Sequence, residues 1–498
     1  MENLRDRLRA KYASLILDIA ESLPTFSGGI VSIFQEKRKY QRESSKEDTD
    51  RSRVPDGVQV KLHSFTLLRL YLLEDIERLM ASLERLFPAS ALGWAREIIG
   101  DSDSLRGLSW SYIGHIVAKR TMLFPGAVAI FPDLPSEIEH IGMEVHRVLP
   151  SLLALTFKVT LADDVSTRLA RLYKRSYLSE IRFNSWLPLG SRRWGSSDLH
   201  AESIRERTIR DYVDVTRTTA ERFVARYTPR PSNSGVPGFV SVDQFRLASE
   251  KEKAPDLRNM AAWSRQFGFS WNYNSFLSQN NAMFLVAGKW GRFEYPHRFV
   301  IAADPPQGDI ANSGIENTIH ELIPFLAIHQ VLSDSEDLVG QLRFQVFRRI
   351  ATRGLNAWLR NKVPGSFGRD VRLNSRLQLS RMLLARLRLE YEQHTGALRS
   401  RHSGLREFTR VDEPKATLLD FFQGVVSREF DVVSRHLQLA AESFSLHVSL
   451  RNIDVTFRLS RWVAWLTLAV TAMTGLGLLA NWPATSSGFK SLIGIFHR

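Results

Sequence analysis

Two stretches of this 498-residue chain hold the residue types that metal binding or acid–base catalysis needs. The first, IHELIPFLAIH at 319–329, carries His320, Glu321 and His329. A zinc-protease helix sets its second histidine four residues after the first, on the same face, with a glutamate between them as base. Position 324 is instead Pro324, and His329 lies nine residues beyond His320. That spacing is about half a turn out of phase on a helix, so the two rings cannot meet one ion. The second stretch is EIEHIGMEVH at 137–146. On a strand, His140, Glu144 and His146 share a face, but His140 and His146 stand roughly 20 Å apart at about 3.3 Å per residue. At most Glu144 and His146 work together, and the stretch reads as the polar face of a strand. Asp304 closes an apolar run, FVIAAD, where loop carboxylates can be catalytic, but the two prolines behind it read as a turn. The chain has no cysteine, which excludes disulfides, thiolate metal sites and cysteine nucleophiles and fits a reducing compartment. There is no phosphate-binding loop, no GxGxxG after a strand and no GxSxG. No catalytic residue, metal ligand or cofactor is assigned, and the balance is against an enzyme.

The elements that would position these residues change character along the chain. Residues 4–19 place Leu4, Leu8, Tyr12, Leu15 and Ile19 at helical spacing. Asp18 interrupts the only apolar run, so an amphipathic helix is expected rather than a signal peptide. Residues 35–57 hold 7 basic and 6 acidic residues and read as a solvated helix end or a disordered linker. Residues 59–87 read as a strand start followed by a helix. Strands are expected at 126–131, 138–149 and 151–161, between prolines. Helices follow at roughly 163–183 and 202–227. TPRPSNSGVPG at 228–238 is a break, strand-like FVSVDQF, AMFLVAGKW and RFVIAAD come next, and the pattern from 315 onward is helical.

Near Thr417 a long helix begins. Leu419, Phe422, Val426, Phe430, Val433, Leu437, Ala440 and Phe444 recur every three or four residues. This reads as a stalk that assembles copies, or as a helix packed on its own domain. From Trp462 to Trp482 the chain has 21 residues without a charge. About 20 apolar residues cross a bilayer as a helix, and tryptophans favour its interfaces. A transmembrane helix is therefore expected at 462–482, single-pass, with the N-terminal body cytoplasmic.

The formal net charge is +14. Residues 338–411 hold 16 basic and 4 acidic residues, and 338–369 hold no acid. Arg343, Arg348, Arg349, Arg353, Arg360 and Arg369 are interleaved with Phe344, Phe347, Trp358 and Phe367. Such a patch attracts polyanions. Anionic lipid is the first candidate, and nucleic acid the second, although no nucleic-acid module accompanies the patch. A solvated face whose acidic partners come from another segment is the competing reading.

The order of parts resembles the CorA-type cation channel family, most closely at RNIDVTFRLSRWVAWLTLAVTAMTGLGLLANW, 451–482. In that family a long helix with an asparagine near the inner boundary enters the membrane and ends in Gly-Met-Asn. Asn452 fits the first feature. LANW matches the second only at Asn481, and 16 residues remain where the family has a second span. The resemblance implies a symmetric bundle of stalk helices, and ion transport is not carried over from it.

The expected architecture is an α+β cytoplasmic body, a mostly α-helical region, a long stalk helix and one C-terminal transmembrane helix. The segments are an N-terminal helix (1–34), a charged linker (35–57), the body (58–314, with a sub-boundary near 228–238) and a basic helical region (315–411). The stalk (412–461), the membrane helix (462–482) and a short tail (483–498) complete them. The expected function is a non-enzymatic, anchored homo-oligomer whose body senses or binds a partner. Arg343, Arg348, Arg349, Arg353, Arg360 and Arg369 would face anionic lipid, and Leu437, Phe444 and Trp465 would form the contact between copies. A reduced CorA-like ion-conducting oligomer and a membrane-tethered enzyme or binder acting on phosphate-containing ligands or nucleic acid are the alternatives.

Overall fold

A computed structural model describes residues 4–22, 34–43, 54, 58–100, 109–119, 127–175, 177, 179–183, 196–231, 239–249, 267, 273–279, 283–288, 298–303, 310–356, 367–411 and 413–480. The chain forms two compact units. The first comprises Met1–Ser335 and Leu384–Asp431, the second Glu336–Leu383 and Val432–Arg498. The changeovers fall inside helices rather than in the proline- and glycine-rich breaks.

Among the described residues the first unit is built on a ten-stranded mixed sheet. Its strands are β1 (Val58–Leu72), β2 (Trp110–Val117), β3 (Ala127–Ile130), β4 (Ile138–Leu149), β5 (Leu152–Leu161), β8 (Val240–Ser249), β9 (Tyr273–Ser278), β10 (Met283–Gly288), β11 (Arg298–Ala303) and β12 (Phe408–Arg410). They lie in the order β12-β9-β10-β11-β8-β1-β5-β4-β2-β3. The pairs β8–β11 and β2–β3 are parallel and the others antiparallel. A separate hairpin joins β6 (Glu180–Phe183) to β7 (Ser196–Leu199). The helix expected over 163–183 therefore ends at Lys174. Arg175 is extended at its C-cap, and the apolar spacing beyond it belongs to a strand.

The helices of this unit are α1 (Leu4–Ser22), α2 (34–43), α3 (Ile76–Leu86), α4 (Gly93–Gly100), α5 (Asp163–Lys174) and α6 (Ala201–Tyr227). Alternation along the central strands sorts the two sheet faces. Phe65 and Leu67 of β1, Leu155, Phe157 and Val159 of β5, and Ile141, Met143 and Val145 of β4 pack into one apolar core. Leu79 and Leu83 of α3, Ala95 and Ile99 of α4, Val165 and Leu169 of α5, and Val213 and Phe223 of α6 complete it. The opposite face of the same strands is polar. Small satellites tie the termini of this unit down: Ala13 and Leu17 of α1 bury Phe34 of α2, and Arg38 pairs with Asp18. The start of the 35–57 stretch is thus helical, and 44–53 lies outside the described residues.

One glycine in the sheet is required by close approach. A Cβ on Gly114 would stand 2.4 Å from the Ala127 carbonyl oxygen and 2.8 Å from Phe87 Cε1. The nearer atom is backbone and cannot rotate away. Gly114→Ala is expected to destabilise the fold by about 3 kcal/mol through the lost β2–β3 pairing. Chemical denaturation checks this, and an unshifted midpoint would show that β3 does not lie there.

Three long helices contribute to both units: α7 (Ile310–Asn356), α8 (Phe367–Arg401) and α9 (Leu418–Ala480). Thr417 starts α9. Its hydroxyl donates to Asp420 Oδ2 at 2.7 Å and accepts from the Asp420 amide at 3.2 Å, a reciprocal cap. The stripe Leu419, Phe422, Val426, Phe430, Val433, Leu437, Ala440 and Phe444 is buried throughout. In the second unit Leu437 and Phe444 are buried, as are Val339 and Leu342 of α7 and Leu373 and Leu377 of α8, each within a single copy. The last part of the stripe is therefore core within one copy.

The expected transmembrane helix is corrected. Among the described residues no helix is long and apolar enough to cross a membrane. The region 462–477 continues α9, and Thr467, Thr471, Thr474, Gly475 and Gly477 dilute its apolar run. Asn481, Trp482 and the tail 483–498 lie outside the described residues.

Candidate functional site

The polar sheet face collects the histidines that the sequence scatters. Antiparallel register sets Glu144 opposite Thr156, Gly142 opposite Lys158 and His140 opposite Thr160 on β4 and β5, and His115 of β2 opposite Gly142. Helix α7 adds Glu316 and His320, one turn apart on the same helix face.

Glu144 is the centre of one half of this seam. Its Oε2 lies 3.2 Å from His146 Nε2 and 3.3 Å from His320 Nε2. A carboxylate only accepts, so both rings present Nε2–H to it. Burial alone would raise the Glu144 carboxyl, but hydrogen bonds from His146 and His320 outweigh it and hold the group well below the usual carboxylate range. His146 is almost fully buried, and burial lowers it in spite of Glu144. Trp110 stands edge-on to His320 at 4.6 Å between ring centroids and stacks on His146 at 6.1 Å. Burial and then the Glu144 charge push the nearby Tyr112 hydroxyl up.

The other half runs across β2, β4, β5, β1 and β8. Ring centroids of His115 and His140 are 5.4 Å apart, and Thr160 Oγ1 lies 3.1 Å from His140 Nε2. His63 sits in the β1 irregularity between Leu62 and Ser64, where Arg246 Nη2 donates to its Nε2 at 2.9 Å. Lys158 pairs with Glu316 of α7. His63 is lowered to about 4, first by burial and then by Arg246 and Lys158. His115 is lowered to about 4 as well, by burial and then by His140 and Lys158. His140 is lowered, chiefly by burial.

What this arrangement can do is limited by its geometry. A nucleophilic relay needs the acid on one ring nitrogen and the hydroxyl on the other. Glu144 and Thr156 both meet Nε2 of His146, Thr156 at 3.4 Å, and Thr156 is buried. Among the described residues no three His, Cys, Asp or Glu side chains are arranged to hold a metal ion. The motif at 319–329 is dispersed in the same way. His320 goes to Glu144, Glu321 accepts from the Leu405 amide at 3.0 Å, and His329 Nδ1 meets Glu429 at 2.6 Å. All three are structural ties between α7 and other elements. Asp304 lies outside the described residues.

The strand reading of 137–146 anticipates the Glu144–His146 pair. It misses His320 as the third member, because that contact joins residues far apart in sequence. The one signal was the pairing of Glu316 with His320 at helical spacing, a polar face on an otherwise apolar helix.

The basic region divides. Within the first unit its arginines find acids. Arg386 bonds Glu390 at 2.8 Å, and Arg388 bonds Glu392 at 2.9 Å and Asp431 of α9 at 3.0 Å. Glu390 also accepts from the amide and hydroxyl of Ser151. Within the second unit Arg343, Phe344 and Arg348 are exposed on α7. Arg349, Arg353 and Arg369 belong to helical segments whose side chains are not described there, and Arg360 lies outside the described residues.

Further along the second unit, α9 carries a cationic and aromatic group that the sequence reading had split between two segments. Arg458, Arg461, Trp462, Trp465, Leu466 and Ala469 line a concavity of about 630 Å³. Trp462 is 70% exposed and Trp465 65%. Ile453, Phe457, Leu459, Val463, Leu468, Val470, Met473 and Leu476 are exposed too, around the whole circumference of the helix. Thr467, Thr471 and Thr474 each donate to the carbonyl four residues back at 2.8 Å, so their hydroxyls are satisfied within the helix. In comparisons with known proteins, no family model, no curated protein and no solved structure matches the chain.

Proposed function

We propose that the protein is a non-enzymatic lipid-surface protein. Its second unit holds it on anionic membrane lipid, and its first unit is a sensing or partner-binding body. The observation that carries this reading is the apolar and aromatic collar Ile453–Leu476 with Arg458 and Arg461 set among its residues. An exposed apolar surface of this extent calls for an occupant. A second copy covers one side of a helix, whereas this collar is apolar on every side. The arginines supply bidentate donors for phosphate, and indole rings favour the headgroup level. Arg343 and Arg348 on α7 add to the same positive unit.

Sedimentation of the full chain with vesicles tests the proposal. Binding is expected to vesicles containing phosphatidylglycerol, to weaken as salt is raised, and to be much weaker on pure phosphatidylcholine. Equal binding to both, unaffected by salt, would remove the role of the arginines. Self-association in detergent with no vesicle binding would assign the collar to a second copy instead.

A further inference from the structure

Beside its buried stripe, the part of α9 in the second unit carries a separate apolar line. Leu439, Leu446 and Ile453 recur every seven residues, and Phe457 follows four residues on. All four side chains are exposed, Leu446 by 66% and Ile453 by 65%. At about 100° per residue they fall within about 40° of one another on the helix. The stripe that packs within the copy, Val433, Leu437, Ala440 and Phe444, is centred about 140° away. The concavity lined by Arg458, Trp462 and Trp465 is centred about 120° round from the line. The line is therefore a third surface, shared with neither the core nor the cationic and aromatic group.

Its surroundings say what covers it. At the level of Leu439 and Leu446 the flanking residues are polar. Gln438, Glu442, Ser443 and Ser445 are exposed, and Gln438 donates to Glu442 at 2.9 Å. Hydrocarbon does not suit a helix that is apolar along one line only. A seven-residue repeat on one side is instead what a second helix requires. Two helices that wind left-handedly around each other keep such a line in contact, because winding offsets the drift of about 20° per heptad. The direction of the second helix follows from what meets across the line. In a parallel pair each of Leu439, Leu446, Ile453 and Phe457 meets its own counterpart, Leu450 fills the same repeat in sequence, and Ser443 is the single polar layer. An antiparallel pair centred on the same line sets Ile453 against Ser443 twice. Parallel pairing also sets Glu442 beside position 447, Ser449 beside 454 and Thr456 beside 461 of the other copy. Those positions hold His447, Asp454 and Arg461, so no like charges meet.

We propose that the line Leu439–Leu446–Ile453–Phe457 is the contact by which α9 pairs with a second copy of this chain, in parallel. This places the contact between copies on a different face from Leu437 and Phe444, which are core. The pair leaves Arg458, Trp462 and Trp465 on its outer side, open to a lipid headgroup. The inference stands whether or not the chain binds lipid, since it rests on the line alone.

The chain has no cysteine, so an introduced one is its sole thiol. Full-length Leu439→Cys, oxidised in a mild detergent that shields the collar, is expected to form a disulfide-linked dimer. A parallel pair brings the two positions within the Cα separation of about 7 Å that a disulfide bridges. Ser445→Cys, exposed about 100° round the helix from the line, is expected to stay monomeric. Equal cross-linking of the two variants, or none in Leu439→Cys, overturns the proposal. An antiparallel pair belongs to the second outcome, because it sets the two cysteines on the order of 27 Å apart along the axis. Leu439→Asn/Leu446→Asn changes two side chains that are exposed in the single copy, so each copy still folds. Sedimentation equilibrium should show the dissociation constant of the pair raised about a hundredfold. Self-association that survives this variant unchanged belongs to the collar and overturns the line. Cross-linking of Leu439→Cys in a chain that binds no vesicles strikes the lipid reading and leaves the pair intact.

Discussion

Replacing Arg458 and Arg461 together by glutamate is expected to reduce partitioning of the full chain onto anionic vesicles by about a thousandfold. Each basic residue near an anionic surface contributes about 1 kcal/mol, so removing two attractions and adding two repulsions costs about 4 kcal/mol. A tenfold change in partitioning corresponds to about 1.4 kcal/mol. Both arginines border the concavity that Trp462 and Trp465 line, so all four lie on one side of the helix. Trp462→Ser/Trp465→Ser separates the two contributions. It should weaken binding at low and high salt alike, whereas the charge reversal should matter most at low salt. A doubly reversed variant that still binds anionic vesicles like the wild type would show that the contact lies elsewhere on the second unit.

Phe157→Ala should produce the largest loss of stability among single changes in the sheet, about 4 kcal/mol, combining lost burial with the cavity left behind. Phe157 is 1% exposed, faces the apolar side of β5 and meets the Phe239 ring edge-on. Its neighbours Thr156 and Lys158 point to the opposite, polar side, where the seam lies. The two faces therefore respond differently. Denaturation at pH 7.5 and at pH 6.0 should show a similar loss for Phe157→Ala, since no titrating group is removed. A loss that changed strongly between these values would mean that the core and the seam unfold as one element.

The strands at 138–149, 151–161 and within FVSVDQF (239–245) were legible because proline, glycine and β-branched residues mark short apolar runs. The buried stripe of α9 was legible because Leu419 to Phe444 keep one helical face without interruption. The reading failed where two explanations share one pattern. Tyr177 to Phe183 continue the apolar spacing of α5, yet alternate equally well as a strand. At Leu437 and Phe444 the sequence left open both a contact between copies and a helix packed on its own domain, since the two share one spacing, and both residues are buried within one copy. The chargeless run after Arg461 has the composition of a membrane span, but its described part falls short of one. The histidine seam was hidden for another reason. Each of its motifs, at 137–146 and at 319–329, fails alone as a site. Their meaning arises only when the sheet and α7 bring Glu144 under His320, and no local spacing encodes that contact.

The sheet has an edge that is completed late. Strand β9 ends at Ser278, and β12, which covers it, begins at Phe408 after both α7 and α8. On the ribosome, at roughly 5–20 residues per second, β9 therefore waits on the order of ten seconds for its neighbour. An uncovered edge is a template for pairing with another chain. Nascent chains of this protein pass through a sticky interval that the finished fold no longer shows. Products stopped between the two strands stay in that interval, so they, rather than unfolded full-length protein, should be the species that chaperones must hold.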